Sequence, residues 1–290
     1  MNCNIKKWIK SKEELTKFEQ GIINKYPENL LPAVVEGGRG TGKSMFCYLV
    51  TARIMQYLHG IHIDDAFPMA LDHFLWTVPQ TLKAIDKIID NTDYNNILQY
   101  DREHKYRILV VDDAGTHMSK YKFYTDVASV DDLKGRLDTI RDVTCGLLMT
   151  TPAISGLLSF LREYPDNKTV TLGTYKEGNT EYDRIVNIRS KRLKWARYGK
   201  RAYPPIKVSI YVYDWAYANY KKEKRIALKK LFDSQKKSSK NEIIKMFRVM
   251  KKLNPKLTKD EIVVKLGLSE DVVSIFKEFK IIDDINPEDN

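Results

Sequence analysis

A short glycine-rich segment, GGRGTGKS at residues 37–44, constrains this chain more than any other feature of its sequence. The apolar run LPAVVEG (31–37) precedes it and predicts a buried strand, and the residues that follow predict a helix ending near Gly60. A strand, a glycine-rich turn and a helix in this order form a loop whose backbone N–H groups converge on a phosphate. The positive end of the helix dipole faces the same anion. The spacing therefore predicts a phosphate-binding loop (P-loop) in an α/β fold.

Two residues of this loop have predicted chemical roles. Lys43 would reach the β- and γ-phosphates of a nucleoside triphosphate, and the hydroxyl group of Ser44 would bind Mg²⁺. ATP and Mg²⁺ are therefore the expected ligands. The residues expected to contact the nucleotide are the loop and its next neighbour: Gly37, Gly38, Arg39, Gly40, Thr41, Gly42, Lys43, Ser44 and Met45.

A pair of carboxylates follows a second predicted strand, RILVVDD at 107–113. Ligands bind at the C-terminal ends of strands in open α/β sheets, so Asp112 is predicted to hold magnesium directly or through water. Asp113 is well placed to orient or deprotonate the attacking water, although it could instead cap the next loop. The second carboxylate favours hydrolysis over transfer of the phosphoryl group to a metabolite.

The segment LLMTTP (147–152) predicts a further strand with two hydroxyl groups at its end. A polar side chain there could hydrogen-bond the attacking water or the γ-phosphate, and Thr151 is the first choice, ahead of Thr150. Side chains alternate along a strand, so only one of the two would point at the nucleotide. An equally good interpretation is that the threonines simply end the strand.

Strands alternate with helices over the first part of the chain, which predicts a parallel sheet covered on both faces. From about 165 to 213 the pattern changes to a period of two, which predicts a basic β-rich extension, and a basic helix follows at 214–232. The other predicted elements are strands at 73–78 and 145–151 and helices at 11–26, 81–90, 130–143 and 155–163.

In this order and on these elements, GGRGTGKS, LVVDDAG and LLMTTP resemble the motifs of the additional-strand P-loop ATPases, the ASCE or AAA+-like class. Within it the Asp-Asp pair is similar to that of the DnaA, DnaC and IstB initiator and loader families. The resemblance covers about residues 30–175 and implies a RecA-like sheet, with Asp112 on magnesium, Asp113 as base and Thr151 as sensor. One departure is that a predicted β-meander follows, where those families have a helical lid.

The same resemblance implies ATP sites that an arginine from a neighbouring subunit completes. Arg162, at the end of the helix after the Thr-Thr-Pro strand, is the candidate, and it could equally be an exposed charge that complements the helix dipole. The predicted catalytic residues are thus Lys43, Asp113, Thr151 and Arg162. Four other arginines lie just before this strand or after it: Arg141, Arg184, Arg189 and Arg192.

The net charge of +11 is unevenly distributed, because the segment from Ser190 to Lys259 contains 22 Lys or Arg and 4 Asp or Glu. This asymmetry favours a polyanion partner such as DNA over a merely solvated surface. Within 190–205, cations alternate with Trp195, Tyr198 and Tyr203. These aromatic side chains could stack on unpaired bases or face the core of a hairpin.

The end of the chain resembles a helix-turn-helix module. Thr258 and Glu261 form a capping box, and Ser269 caps the presumed recognition helix, whose first residues Glu270 and Asp271 are poor partners for phosphate. The module is therefore expected to bind DNA, or else protein. The expected organisation is an ATPase domain at 1–233, a linker at 234–239, the helix-turn-helix-like (winged-helix-like) domain at 240–282 and an acidic tail at 283–290.

Three scattered cysteines exclude a disulfide framework, and no secretory signal or membrane span is expected, so a cytoplasmic protein is predicted. The predicted function is a DNA-binding ATPase that hydrolyses ATP with Mg²⁺ and assembles on or remodels DNA. The overall plan, an ATPase core with a basic C-terminal helical module, also resembles the DNA-binding ATPases of plasmid and viral replication. This resemblance implies an initiator or helicase loader in the replication of a mobile element, as a homo-oligomer with a replication protein as an expected partner. The alternatives are a DNA-translocating or packaging motor and a nucleotide-gated adaptor with little turnover.

Overall fold

The computed structural model describes a seven-stranded sheet with helices on both faces. The described residues are 8–25, 29–90, 108–118, 127–138, 140, 144–162, 167–174, 180–190, 203–230 and 261. The strands are β1 (Leu31–Glu36), β2 (Phe74–Leu75), β3 (Leu109–Val111), β4 (Gly146–Thr151), β5 (Lys168–Thr174), β6 (Asp183–Ser190) and β7 (Ile206–Ser209). The helices are α1 (Lys17–Ile23), α2 (Lys43–His59), α3 (Ile63–Leu71), α4 (Val78–Asp90), α5 (Ala114–His117), α6 (Val127–Asp138), α7 (Ser159–Arg162) and α8 (214–230).

Contacts divide the chain into two units, Met1–Ala227 and Leu228–Asn290. The sheet and all the site residues discussed below belong to the first unit. Of the second unit, the described residues are 228–230 and Glu261. The predicted linker, the acidic tail and, apart from Glu261, the helix-turn-helix-like domain lie outside the described residues and stay predictions.

The order of the strands is β2-β3-β4-β1-β5-β6-β7. Strands β1 to β5 pair in parallel, which confirms the predicted parallel sheet, and β4 lies as an additional strand between β1 and β3. This arrangement fits a RecA-like P-loop domain.

The predicted β-rich extension is part of the same sheet. Strand β5, expected to begin an antiparallel meander, pairs in parallel with β1, with Lys168 opposite Ala33. Among the described strands, only β6 and β7 add to it in antiparallel fashion. The period-two pattern arises because this edge of the sheet is half-exposed, whereas the central strands are buried on both faces.

The two faces of the sheet build two hydrophobic clusters, as the alternation of side chains along a strand requires. From β1, Ala33 and Val35 pack into the cluster that contains α2 and α3, and Val34 packs into the opposite one with α6 and α7. Helix α8 joins the first cluster through Ala216 and Tyr220. The end of β1, and with it the glycine-rich loop, is thereby held between two packed layers.

The single helix predicted at 11–26 is in fact divided in two. The Glu14 carboxylate accepts the Ser11 N–H in a capping box, but the helix there is only a short 3₁₀ turn. A second capping box, Thr16 with Glu19, starts α1 after an extended Leu15. Because an N-cap residue has non-helical backbone angles, the second box interrupts the first helix.

None of the described helices combines the length and the apolar character that a membrane-spanning segment needs.

Candidate nucleotide-binding site

The glycine-rich loop joins β1 to α2, as its sequence predicts. Gly40 and Gly42 have φ angles of 76° and 89°, in the left-handed region that glycine adopts without strain. A Cβ atom on Gly42 would also collide with the side chain of Ile210. Since α2 begins at Lys43, its N-terminal backbone groups and the positive end of its dipole lie at this loop.

The side chain of Lys43 folds back onto the loop. Its Nζ donates to the carbonyl oxygens of Gly37 and Gly38, at 2.7 and 2.8 Å. Desolvation by burial lowers the pKa of Lys43, against the opposing influence of Asp113 and Asp112. The ammonium group is therefore held at the mouth of the loop, where an incoming anion could take over its hydrogen bonds.

Asp112 stands at the end of β3 and is completely buried. Its Oδ1 accepts hydrogen bonds from Ser44 Oγ at 2.6 Å and Thr150 Oγ1 at 2.8 Å. Its Oδ2 accepts from the Tyr220 hydroxyl at 2.5 Å and Lys224 Nζ at 2.8 Å. Four donors from three different elements, α2, β4 and α8, thus converge on one carboxylate.

The charges in this network stabilise one another. Burial acts to raise the pKa of Asp112, but Lys224 and the hydrogen bonds from Ser44 and Tyr220 hold it below its usual value. Burial likewise acts to lower the pKa of Lys224, while Asp112, Tyr220 and Asp113 raise it well above the usual lysine value. Both groups are therefore charged at neutral pH.

Asp113 has a left-handed backbone, with φ at 52°, a conformation that aspartate tolerates better than most residues. Its N–H donates to Thr150 Oγ1 at 2.8 Å, and its Oδ2 accepts from Lys224 Nζ at 2.6 Å. The Asp113 side chain is 41% exposed. Its carboxylate is therefore the solvent-accessible member of the pair, as activation of a water requires.

The two threonines at the end of β4 have different partners. Thr150, the second choice from the sequence, contacts both Asp112 and the backbone of Asp113. Thr151, the first choice, donates to the carbonyl oxygen of Ala153 and accepts its N–H, within the turn after β4. The structure thus brings Thr150 into the carboxylate network, and a sensor role for Thr151 stays a prediction.

Of the predicted arginines, Arg184 on β6 lies at the loop, where its Nε donates to the Thr41 carbonyl oxygen at 3.2 Å. Arg162 is the last residue of α7, and its Nε is buried. Its predicted role across a subunit interface stays a prediction, because such a role needs a second chain. Arg141 and Arg192 lie outside the described residues.

The oxygen ligands that lie between the end of β3 and the start of α2 fit Mg²⁺. Ser44 Oγ and the Asp112 carboxylate offer hard oxygen ligands, and Mg²⁺ takes its other ligands from phosphates and water. Within the described ranges, no cluster of three or more His, Cys, Asp or Glu residues could bind a metal by itself. Because Ser44 and Asp112 leave the other coordination positions of Mg²⁺ to phosphates and water, the site suits a cation that arrives with a nucleotide.

Tyr220 and Lys224 were missed by sequence reasoning, although both contact Asp112 and Lys224 also contacts Asp113. Along α8 the described inward positions are Ala216, Tyr220 and Ala227, and Lys224 falls on the same stripe. A lysine at a core-facing position of an amphipathic helix usually has a buried acidic partner. That spacing is the signal that could have identified it.

The predicted aromatic and basic hairpin is only partly described. Tyr203 packs edge-on against Phe18, with ring centroids 6.1 Å apart, so this side chain faces the core. Trp195 and Tyr198 lie outside the described residues. A stacking role for those two side chains stays a prediction.

No protein-family profile and no curated protein sequence matches the chain. Similar solved structures include the flagellar accessory protein FlaH of Methanocaldococcus jannaschii, with 12% identity over 60% of this chain and 83% of that one, and a TM-score of 0.31. The KaiC-like protein PH0186 of Pyrococcus horikoshii OT3 has 13% identity over 67% and 93%, and a TM-score of 0.32. The ATPase domain of G40P has 11% identity over 63% and 80%, and a TM-score of 0.29. TM-scores this low carry no functional assignment.

Proposed function

We propose that the chain is a Mg²⁺-dependent ATPase that acts on DNA. The observation that carries the proposal is the 2.6 Å hydrogen bond between Ser44 Oγ and Asp112 Oδ1. It joins the phosphate-binding loop to the carboxylates of another strand, although 68 residues separate the two. A phosphate cradle beside an acidic pair has the groups that hydrolysis of a nucleoside triphosphate requires.

Each group has a role in this reaction. Ser44 Oγ and the Asp112 carboxylate would hold Mg²⁺, which would supply neutralisation of charge on the phosphates. Lys43 exchanges its two loop carbonyls for phosphate oxygens, because an ammonium group bonds more strongly to an anion than to a neutral acceptor. Asp113 accepts a proton from the water whose oxygen attacks the γ-phosphorus, while the bond from that phosphorus to the ADP oxygen breaks.

The distribution of positive charge supports DNA as the partner. Trp215 and Tyr217 on α8 are 41% and 38% exposed, and aromatic faces of this kind can stack on unpaired bases. Five cations of the same helix are also exposed: Lys221, Lys222, Arg225, Lys229 and Lys230. A role in replication of a mobile element, with self-assembly on ATP or DNA, belongs to the same proposal.

The test of the ATPase is hydrolysis measured in Mg²⁺ and in EDTA, with and without single- and double-stranded DNA. We expect turnover only with Mg²⁺ and stimulation by one form of DNA. Turnover that EDTA leaves unchanged would contradict the magnesium site. A turnover rate that neither single- nor double-stranded DNA changes would contradict the DNA-dependent function.

The test of DNA binding is a band-shift series across salt concentrations. Affinity should fall about 10-fold or more between 50 and 200 mM salt, because phosphate contacts release counterions. Deletion of residues 234–290 should weaken DNA binding and leave nucleotide binding intact. If the truncated chain binds DNA equally well, the helix-turn-helix-like segment is a protein-interaction module.

A nucleotide-gated adaptor with little turnover is the second candidate. The observation that favours it is that Lys224 engages both Asp112 and Asp113, the groups on which hydrolysis depends. Such a protein would bind ATP with Mg²⁺ and hydrolyse it slowly, whether DNA is present or not. Stimulation of turnover by DNA therefore separates the ATPase from the adaptor.

A further inference from the structure

The carboxylate of Asp112 has no hydrogen-bonding capacity to spare. An ionised carboxylate offers about four lone-pair directions. Ser44 and Thr150 occupy two of them at Oδ1, and Tyr220 and Lys224 occupy two at Oδ2. A divalent cation or its bound water can use this carboxylate only if it displaces one of these donors.

Lys224 donates three hydrogen bonds within the same network. Besides Asp112, its Nζ lies 2.6 Å from Asp113 Oδ2 and 3.3 Å from the Tyr220 hydroxyl oxygen. The ammonium group at this distance occupies the Asp113 oxygen Oδ2, which is then not free to accept a hydrogen bond from an attacking water. In this arrangement the proposed base is therefore poorly suited to activate water.

The helix that carries Lys224 is firmly packed, but the Lys224 side chain is partly exposed to solvent. Tyr220, one turn earlier, is 4% exposed and packs among Tyr48, Phe74 and Trp76. The Lys224 side chain is 21% exposed and ends between a buried carboxylate and an accessible one. A long flexible lysine at such a boundary can turn its ammonium group into solvent without moving the helix.

We propose that Lys224 is an internal cation that competes with Mg²⁺ for the Asp112–Asp113 pair, so that hydrolysis proceeds only when Lys224 leaves Asp113. The inference rests on the proposed function and deepens it, because it assigns the control of that site to a residue of the same chain. Tyr220 is the positioning residue, since its hydroxyl group contacts both Lys224 and Asp112. Helix α8, whose opposite face carries the exposed cations, thereby controls access to the magnesium site.

The test is a Mg²⁺ titration of ADP binding, followed by calorimetry, on the full chain and its Lys224→Met variant. Methionine keeps the length of the side chain and removes the charge. We expect the Mg²⁺ concentration at half-saturation to fall about 10-fold in the variant, within the usual range of coupling between two ligands. Lys83→Met, at an exposed position on α4, is the control for the loss of one positive charge and should match the unaltered chain.

Two further variants keep the proposal falsifiable if Lys224→Met does not fold. Lys224→Arg retains the charge and should keep a Mg²⁺ requirement close to that of the unaltered chain. Tyr220→Phe removes one hydroxyl group that holds Lys224 and should lower the requirement by a smaller factor, about 2- to 3-fold. Circular dichroism checks that each variant is folded.

The outcomes separate the inference from the function on which it rests. An unchanged or higher Mg²⁺ requirement in folded Lys224→Met and Tyr220→Phe would overturn the proposal that Lys224 competes with Mg²⁺. If turnover by Lys224→Met also fell, Lys224 would be a residue that supports catalysis. A lower requirement together with faster basal turnover would support the competition. If the unaltered chain binds no nucleotide with or without Mg²⁺, the proposed function itself fails.

Discussion

The glycine-rich loop and helix α8 meet at one site but are specified by the sequence in different ways. The loop is contiguous, and its shape follows from glycine backbone angles at Gly40 and Gly42. Helix α8 reaches the same carboxylate through Tyr220 and Lys224, across 108 and 112 residues. A motif set by local backbone geometry is visible in a sequence, whereas a contact made by two side chains of distant elements is visible only in the fold.

The two regions should therefore respond differently to substitution. Changes in the loop remove contacts that the nucleotide itself needs, so they should reduce its affinity. Changes in α8 remove contacts that the chain makes with its own carboxylates, so they should alter the Mg²⁺ requirement and the stability. The following predictions test this division, from the largest expected effect to the smallest.

The largest effect is expected at Asp113, where the two regions meet. Asp113→Asn should lower turnover by about 10²- to 10⁴-fold, because it removes the proton acceptor, while ATP binding stays within a few-fold. Steady-state hydrolysis and equilibrium ATP binding, measured on the same preparation, check this. Full activity in the variant would show that another group is the base.

Lys43→Ala tests the loop alone. The change should weaken ATP binding about 100-fold or more, since it deletes charge-assisted hydrogen bonds to the phosphates worth about 3 kcal/mol. Calorimetric titration with ATP measures the loss. Melting temperature is the control: if the variant is as stable as the unaltered chain and still binds ATP tightly, the loop does not bind phosphate as proposed.

The threonine pair tests which hydroxyl group belongs to the site. Thr150→Val should lower turnover about 10-fold, because Thr150 bonds both Asp112 and the Asp113 backbone. Thr151→Val should change turnover less and act mainly on stability, through the turn at Ala153. The two variants are matched in chemistry, so the reverse order in a hydrolysis assay would restore Thr151 as the sensor.

Tyr220→Phe tests the inner face of α8 through stability. The change should lower the free energy of unfolding by about 1–2 kcal/mol, because a buried carboxylate loses one of its donors. Urea denaturation followed by fluorescence measures this effect. Tyr217→Phe, on an exposed position of the same helix, should be nearly neutral, and equal losses in both variants would argue against a specific bond to Asp112.

Much of this site could be predicted from the sequence because strand ends and loops have local signatures. The apolar runs of β1 and β3 place the loop and the Asp112–Asp113 pair at the same edge of a parallel sheet. The choice between Thr150 and Thr151 could not be made in this way, because it depends on where β4 lies in register against β3. Val111 pairs with Met149, so the next residues, Asp112 and Thr150, stand side by side, and the sequence does not contain this register.

Three features of the fold lay beyond the sequence pattern for physical reasons. Helix α3 contains Pro68, which obscures its periodicity, and it is stabilised by the burial of Ile63 and Phe67. Strand β5 has the alternation of an edge strand but pairs in parallel with β1. Lys224 is one of many lysines in a basic segment, so composition alone cannot distinguish the one that faces inward.

The central claim is that the loop and the acidic pair form one magnesium-dependent hydrolytic site. Single-turnover hydrolysis of ATP, with Mg²⁺ and with EDTA, tests it most directly when the unaltered chain and Asp113→Asn are compared at saturating nucleotide. The account predicts conversion of bound ATP to ADP and phosphate by the unaltered chain in Mg²⁺, and almost none in EDTA or by the variant. Equal conversion by the variant, or conversion that survives EDTA, would contradict the claim.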